Sequence, residues 1–279
     1  MTETRAGGGL PAPALSREVS DDVALLGDPQ VPGGVTFAFT ERSGGVSRPP
    51  YGSLNLGDRV GDDASAVAEN RRRVLRAIGA EAFSANLVCP NQVHGDRVVA
   101  VASSAPEAVA RAQAQAAEGA DAVVCSAPGV PVLLVYADCV PVVLVTDGGF
   151  AVVHSGWKGT YARIAAKALN QLCAITGNDV SDVDCYLGPH IAGRDYEVSD
   201  ELIERFTMEF GSCVQAGEGR LSLASAIEAT LVSSGVRPWR ILNADLSTAT
   251  DTGRFFSYRK EGPVCGRHGA IGFMAPARP

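Results

Sequence analysis

The chain has 279 residues, of which 46% are hydrophobic, enough apolar side chain for one large core or two closely joined halves. Its formal net charge of -7 and isoelectric point near 5.2 argue against a surface that follows nucleic-acid phosphates, because such surfaces depend on clustered Lys and Arg. We therefore expect no nucleic-acid partner.

The first twenty residues lack an apolar stretch of signal-peptide length, and we predict a disordered arm over residues 1–30 followed by a single domain over residues 31–279. The most apolar region, residues 130–145, is interrupted by Pro131, Asp138 and Pro141, which excludes a membrane helix. No membrane partner is expected.

The seven cysteines are widely spread and show no disulfide framework or zinc-knuckle spacing. A reducing cytoplasm is the expected location.

The first predicted elements are a strand over residues 35–39, a loop that carries Arg42, and a helix capped by Asp63. Residues 91–96 are a polar segment between two strand-like runs, and His94 lies in it. The Ala-rich stretch over residues 106–119 predicts a marginal helix or a loop.

The middle of the chain contains four apolar runs without alternation, typical of strands that are covered on both faces. They occupy residues 121–125, 132–136, 142–145 and 150–153. A helix that starts at residue 162 and ends near Gly177, a strand over 183–187 and helices near 199–210 and 222–234 complete a strand-and-helix pattern.

Three side chains at strand ends are candidates for a metal site. His94 and His154 are two of only four histidines, and Cys139 directly follows a predicted strand. Two imidazoles and a thiolate are a plausible ligand set for catalytic zinc, which keeps a fourth position open. The alternative is one core histidine, one loop histidine and an inert buried thiol.

A second interpretation makes Cys139 a nucleophile with His154 as its base, as in a Cys/His hydrolase. Both interpretations require the two side chains to converge. They differ on His94, which only the metal site needs.

Arg42 and Lys158 are candidates for binding an anion, with a surface charge as the alternative for each. The glycines near them do not form a phosphate-binding P-loop.

Four motifs together resemble the laccase-domain family, also called the multicopper polyphenol oxidase or peptidoglycan editing factor family. They are Asn91-Gln-Val-His-Gly95, Ala137-Asp-Cys139, His154-Ser-Gly-Trp-Lys-Gly159 and Phe255-Phe-Ser-Tyr-Arg259. Purine nucleoside phosphorylase and adenosine deaminase activities are assigned to that family.

The resemblance implies an α/β (α+β) fold with a mixed β-sheet core and flanking helices, and zinc bound by His94, Cys139 and His154. It implies phosphorolysis of adenosine, inosine, guanosine and methylthioadenosine, and deamination of adenosine. The expected partners are thus a small-molecule nucleoside and phosphate.

The resemblance also suggests supporting roles for other residues in these motifs. Arg42 and Lys158 are the candidates for binding phosphate, Asn91 and Gln92 for holding the base or ribose, and Asp138 for orienting a metal ligand.

Some features of the chain depart from the family pattern. Where family members carry further cysteines, this chain has Ala192, Asp195 and Ser247, so those cysteines cannot be essential here.

Copper-oxidase chemistry is not expected, since His190 and His268 are too few to complete a multicopper cluster. The alternatives are the Cys139–His154 hydrolase, an editing hydrolase on a peptidoglycan nucleotide-sugar precursor, or a non-catalytic metal-stabilised partner of another protein.

Overall fold

The computed structural model describes residues 9–277. Its strands are β1 (Ser16–Ser20), β2 (Val23–Gly27), β3 (Val35–Thr40), β4 (Val98–Val101), β5 (Ala122–Cys125), β6 (Val132–Tyr136), β7 (Val140–Thr146), β8 (Gly149–Ser155), β9 (Asp184–Leu187), β10 (Ile241–Asn243) and β11 (His268–Met274). Its α-helices are α1 (Ala64–Ala77), α2 (Pro106–Ala117), α3 (Trp157–Tyr161), α4 (Ile164–Thr176), α5 (Asp200–Phe210), α6 (Leu223–Ser233) and α7 (Tyr258–Glu261).

The strands form two sheets. The first has the order β1-β2-β3-β11-β6, and all its neighbouring strands are antiparallel. The second has the order β10-β9-β7-β8-β5-β4 and is mixed, because β10 runs parallel to β9 and β4 parallel to β5. The predicted α/β fold with a mixed sheet and flanking helices is confirmed.

The two sheets pack face to face between helices, which explains the continuous apolar runs in the sequence. On β5, Val123 belongs to the cluster between the sheets, whereas Val124 belongs to the cluster beneath α4 and α6. The outer face of the first sheet is covered by α1, whose Val74 and Leu75 pack against Leu25 of β2. Strands buried on both faces need no alternation of apolar and polar residues.

The helix predicted after Asp63 is confirmed as α1. The Asp63 carboxylate accepts hydrogen bonds from the backbone N–H groups of Ser65 and Ala66, as an N-cap residue does. The Ala-rich stretch is a helix, α2, and no helix within residues 9–277 combines the length and apolar character needed to cross a membrane.

The prediction of a disordered arm through residue 30 is wrong for its second half. Residues 16–27 form the hairpin of β1 and β2, and residues 1–8 lie outside the described range. The run Val23–Leu26 is buried, and Leu25 and Leu26 pair with β3, so β2 is an interior strand of the first sheet and β1 is its edge.

The helix expected from Ala162 to near Gly177 is confirmed as α4, which begins at Ile164 and has Gly177 as its C-cap. Arg163 has a left-handed backbone conformation, with φ of 58°, that separates the short α3 from α4. The strand β11 lies between β3 and β6 in the first sheet and was not predicted, because its Gly-containing sequence carries a weak strand signal.

A buried ion pair joins the strands at one edge of the second sheet. Arg240 Nη1 donates to Asp184 Oδ1 at 2.6 Å, and both side chains are almost fully buried. Burial raises the pKa of Asp184 to about 6, even though Arg240 opposes this rise. The carboxylate therefore depends on the guanidinium for its charge.

We expect Arg240→Met to lower the free energy of unfolding by about 3–5 kcal/mol at pH 8, because it leaves a buried carboxylate unpaired. The loss should be smaller at pH 5, since a folded-state pKa above the unfolded value means that protonation of Asp184 stabilises the fold. Chemical denaturation at both pH values measures this. The exposed pair Arg237–Asp182 supplies the control, and Arg237→Met should change stability by less than about 1 kcal/mol.

Candidate metal centre

The candidate site lies where the chain crosses from one sheet to the other. Ala137, Asp138 and Cys139 link β6 of the first sheet directly to β7 of the second. Asp138 adopts φ of 93°, which allows this short link to turn sharply. Cys139 is thereby held at the junction of the two sheets.

His154 reaches the same place through strand pairing. It lies near the end of β8 opposite Pro141, close to the start of the antiparallel β7, and is therefore next to Cys139. Its Nδ1 lies 2.8 Å from Oδ1 of Asp121. Because a carboxylate only accepts hydrogen bonds, Nδ1 carries the hydrogen and Nε2 is left for a ligand.

Asp121 also positions His94. The Asp121 carboxylate accepts hydrogen bonds from the backbone N–H groups of Val93, His94 and Gly95, at 3.2, 2.9 and 2.7 Å. His94 has φ of 57°, so these bonds hold a backbone conformation that is uncommon for a residue with a Cβ. One buried carboxylate thus orients both histidines.

The sequence analysis did not identify Asp121. Its available signal was a carboxylate at the start of an otherwise apolar, fully buried strand, where an unpaired charge would be costly. Such a residue needs partners, and here they are a histidine and three amides.

The structure brings His94, Cys139 and His154 together. One ligand atom from each lies within 4.8 Å of the other two, and the two imidazole rings meet edge to face at 4.8 Å. Gly156 leaves the space for this approach, since a Cβ there would lie 3.1 Å from Cys139 Sγ and 3.3 Å from His94 Cδ2. Within residues 9–277 this is the one group of three or more His, Cys, Asp or Glu side chains that can hold a metal ion.

The three side chains are electrostatically coupled. Burial favours the neutral thiol of Cys139, but the charges and hydrogen bonds of His154 and His94 outweigh it and lower the pKa of Cys139 to about 6. Burial likewise opposes the charged form of His154, yet Cys139 and Asp121 raise its pKa to about 9. The site favours a thiolate at neutral pH, which is the form that binds metals and attacks electrophiles.

The triad opens into a cavity of about 640 Å³, within the range of small-molecule sites. Its lining includes the aromatic side chains of Tyr136, Trp157, Tyr196 and Tyr258. The cavity can therefore enclose a planar, partly apolar ligand beside the triad.

Gln92 and Asp138 also line the cavity, but their polar groups are used internally. The Gln92 side-chain amide exchanges two hydrogen bonds of 2.8 Å with the backbone of Val135. The Asp138 carboxylate accepts from Thr248 Oγ1, Ser257 Oγ and the backbone N–H of Arg259. Both residues shape the wall of the site.

Asn91, Arg42 and Lys158 are not among the residues that line this cavity. Asn91 accepts a hydrogen bond from Arg59. Arg42 donates from Nε to the carbonyl oxygen of Gly52 and from Nη1 to that of Thr252, and Nη1 also forms an ion pair with Glu261, so two of its three nitrogens are engaged.

Lys158 is an exposed residue of α3, and its ammonium group lies 5.5 Å from the ring centre of Trp157. The structure brings neither Arg42 nor Lys158 to the triad.

The two remaining histidines lie elsewhere. His190 donates from Nδ1 to the Gly188 carbonyl oxygen at 2.7 Å, and it lines a separate, smaller cavity. His268 is fully buried beside Tyr136 and Phe255, and burial lowers its pKa to about 3.

The chain is similar to a known protein family and to several characterised relatives. Residues 36–275 match the family described as multi-copper polyphenol oxidoreductase laccase. A purine nucleoside phosphorylase of Deinococcus radiodurans is 38% identical over 244 residues, covering 85% of this chain and 88% of that protein. Adenosine deaminase RL5, from an unknown prokaryotic organism, is 33% identical over 240 residues, covering 82% of this chain and 90% of that protein.

The fold has solved counterparts as well. The crystal structure of YlmD from Geobacillus stearothermophilus has a TM-score of 0.82 and 27% identity, covering 95% of this chain and 100% of that one. These matches confirm the family resemblance that the four motifs indicate.

In protein stripped of metal, we expect Cys139 to react with iodoacetamide as a thiolate, with a rate that rises through a midpoint near pH 6. Asp121→Asn should move this midpoint upward, because the imidazolium of His154 loses its carboxylate partner. Peptide mass spectrometry at a series of pH values measures the rate.

Asp96→Asn is the matched control, since Asp96 lies on the same loop as His94 but is exposed and pairs with Lys167. A wild-type midpoint near that of a free cysteine, or equal midpoints in the two variants, would contradict the electrostatic coupling.

Proposed function

This chain belongs to the multi-copper polyphenol oxidoreductase laccase family, and we propose that it is a zinc-dependent enzyme acting on purine nucleosides. Its reactions are phosphorolysis of adenosine, inosine, guanosine and methylthioadenosine, and deamination of adenosine. The observation that carries this proposal is the convergence of His94, Cys139 and His154 at a cavity of about 640 Å³. The names of the relatives supply the substrate class.

The donor set suits zinc. One thiolate and two imidazoles give three protein ligands, and the open cavity beside them leaves the fourth tetrahedral position for a small molecule. The bond from His154 to Asp121 is the carboxylate–histidine contact that commonly fixes a zinc-binding imidazole.

Copper suits this donor set less well. A mononuclear copper site with two histidines and a cysteine usually adds a distant methionine, and no methionine is among the residues lining the cavity. His190 and His268 lie too far from the triad to join it as ligands, so three donors remain where a multicopper cluster needs many more.

A bound zinc ion and the side chains around it would have different roles in the reaction. A zinc ion held by the triad would serve as a Lewis acid that makes a water molecule more acidic or polarises a substrate oxygen. Asp121 holds the His154 ring in one tautomer. Tyr196, Tyr258 and Trp157 offer faces and edges against which a purine ring can pack.

A second candidate is a Cys/His hydrolase that uses Cys139 as nucleophile and His154 as base. The observation in its favour is the lowered pKa of Cys139, which gives a thiolate without any metal. This mechanism assigns no task to His94, although Asp121 holds the His94 loop as firmly as it holds His154.

We also place the enzyme in the cytoplasm, since all seven cysteines are free and a reducing compartment would keep them so.

Purified protein should contain about one zinc ion per chain and should convert inosine with phosphate and deaminate adenosine without it. Cys139→Ala should lose metal and both activities together, because a methyl group cannot replace the thiolate. Elemental analysis for zinc and copper, combined with chromatography of the products, tests this. Well-folded protein that neither retains nor takes up zinc would overturn the proposal.

His94→Gln separates the two candidates. In a zinc enzyme it should weaken metal affinity by at least about tenfold and reduce turnover in parallel, whereas a Cys139–His154 hydrolase should be little affected. Chelator competition and steady-state kinetics supply the two measurements, with Asp96→Asn as the control on the same loop. Activity that survives thorough chelation while a substrate-derived adduct forms on Cys139 would favour the hydrolase.

A further inference from the structure

Three arginines of the cavity wall have no carboxylate partner. Most arginines within residues 9–277 form ion pairs, as Arg72, Arg76 and others do on the protein surface. Arg59, Arg259 and Arg267 line the cavity beside the triad, and none of them forms an ion pair with the described residues. Three arginines without an ion pair therefore line one cavity.

The protein uses only part of each guanidinium group. Arg59 donates from Nη1 to the Asn91 side chain, and Arg259 donates from Nη1 to the Glu197 carbonyl oxygen at 3.0 Å. Arg267 donates from Nη1 to the carbonyl oxygens of residues 265 and 266. No side-chain or backbone acceptor within residues 9–277 engages Nε or Nη2 of the three groups, so these forked donors face the cavity or solvent.

The two carboxylates of the same wall do not neutralise these charges. Asp58 Oδ2 lies 3.3 Å from Nη2 of Arg71, and Arg71 is not one of the residues that line the cavity. Asp138 accepts hydrogen bonds from Thr248, Ser257 and a backbone N–H, which occupy both of its oxygens. The wall is locally positive although the whole chain has a formal net charge of -7. An anion is the ligand that this imbalance favours.

Arg267 is held in place before any ligand arrives. Its backbone N–H donates to Asn55 Oδ1 at 2.8 Å, and its side chain packs on Gly57, where a Cβ would lie 2.8 Å from Arg267 Cγ. Arg59 follows Gly57 by two residues, so the same turn presents both guanidinium groups. Because the Arg267 side chain is already held in place, its guanidinium group loses little conformational entropy when a ligand binds.

We propose that Arg267 and Arg59, with Arg259 across the cavity, form a phosphate subsite. This inference rests on the proposed nucleoside phosphorylase activity, and it replaces Arg42 and Lys158, whose positions lie outside the cavity. Phosphate geometry matches bidentate donation from guanidinium groups. The phosphate is inorganic phosphate in phosphorolysis, or the phosphate group of a nucleotide if the true substrate carries one.

The test compares Arg267→Gln and Arg59→Gln with the control Arg111→Gln. Arg111 is an exposed residue of α2 outside the cavity and has no ion pair within the described residues, so its replacement makes the same change in charge. Binding of inorganic phosphate is measured by calorimetry, and the KM for phosphate is measured in inosine phosphorolysis. Adenosine 5′-monophosphate and adenosine are titrated in parallel.

Each cavity variant should weaken phosphate binding and raise the KM for phosphate by about tenfold or more, the effect of losing a charged hydrogen bond. The ratio of adenosine deamination to phosphorolysis should rise, because deamination consumes water in place of phosphate. Arg267→Lys should recover part of the affinity by restoring the charge. Arg111→Gln should match the wild type in every measurement.

The possible failures can be told apart. Unchanged phosphate affinity and KM in both cavity variants, with normal thermal melting, would overturn the subsite whatever the enzyme does. A wild-type protein that turns over no nucleoside, but binds phosphate through Arg267 and Arg59, would support the subsite and overturn the proposed function. Tighter binding of the monophosphate than of adenosine, lost in both variants, would support the subsite and assign it to a nucleotide phosphate.

Discussion

The arrangement of the site depends on one buried carboxylate. Asp121 is fully buried at the start of β5, and desolvation alone would disfavour its charge. The hydrogen bonds from His154 and from the backbone of residues 93–95 outweigh this cost and hold the pKa of Asp121 below its ordinary value. Because the same carboxylate accepts hydrogen bonds from His154 on β8 and from the backbone of the loop that carries His94, it holds the two histidines close together. Asp121 supports the site without lining the cavity.

The fold brings the third ligand by a different route. Cys139 is positioned by the strands around it, since the link between β6 and β7 is only three residues long. Both strands are buried on both faces, so neither can shift without breaking the packing between the sheets. The geometry of the candidate metal site therefore depends on the buried carboxylate of Asp121 and on the apolar packing of β6 and β7.

The sequence predicted the parts of the site that follow from local pattern. His94, Cys139 and His154 stood out because strand ends collect functional residues, and the four motifs narrowed the choice. The pattern also predicted α1 and the buried central strands. Whether Cys139 and His154 meet depends on the register of β7 against β8, which no local pattern determines.

The residues that were missed act through contacts between distant parts of the chain. Asp121 meets His94 across 27 positions, and the wall that Arg59 shares with Arg267 joins opposite ends of the sequence. Arg42 was a reasonable candidate by charge, but its Nε and Nη1 are engaged by carbonyl oxygens and Glu261 and it does not line the cavity, which only the folded structure shows. A charged side chain in a sequence does not show how many of its donors remain free.

The crossing at Ala137–Cys139 would couple metal binding to the stability of the fold. Cys139 belongs to the link between the two sheets, whereas His154 belongs to the second sheet. A metal ion bound by both side chains, and only in the folded chain, would raise the free energy of unfolding by RT ln(1 + c/Kd), where c is the concentration of free metal. The resistance of the protein to heat and to denaturants would then rise with the logarithm of the metal supply.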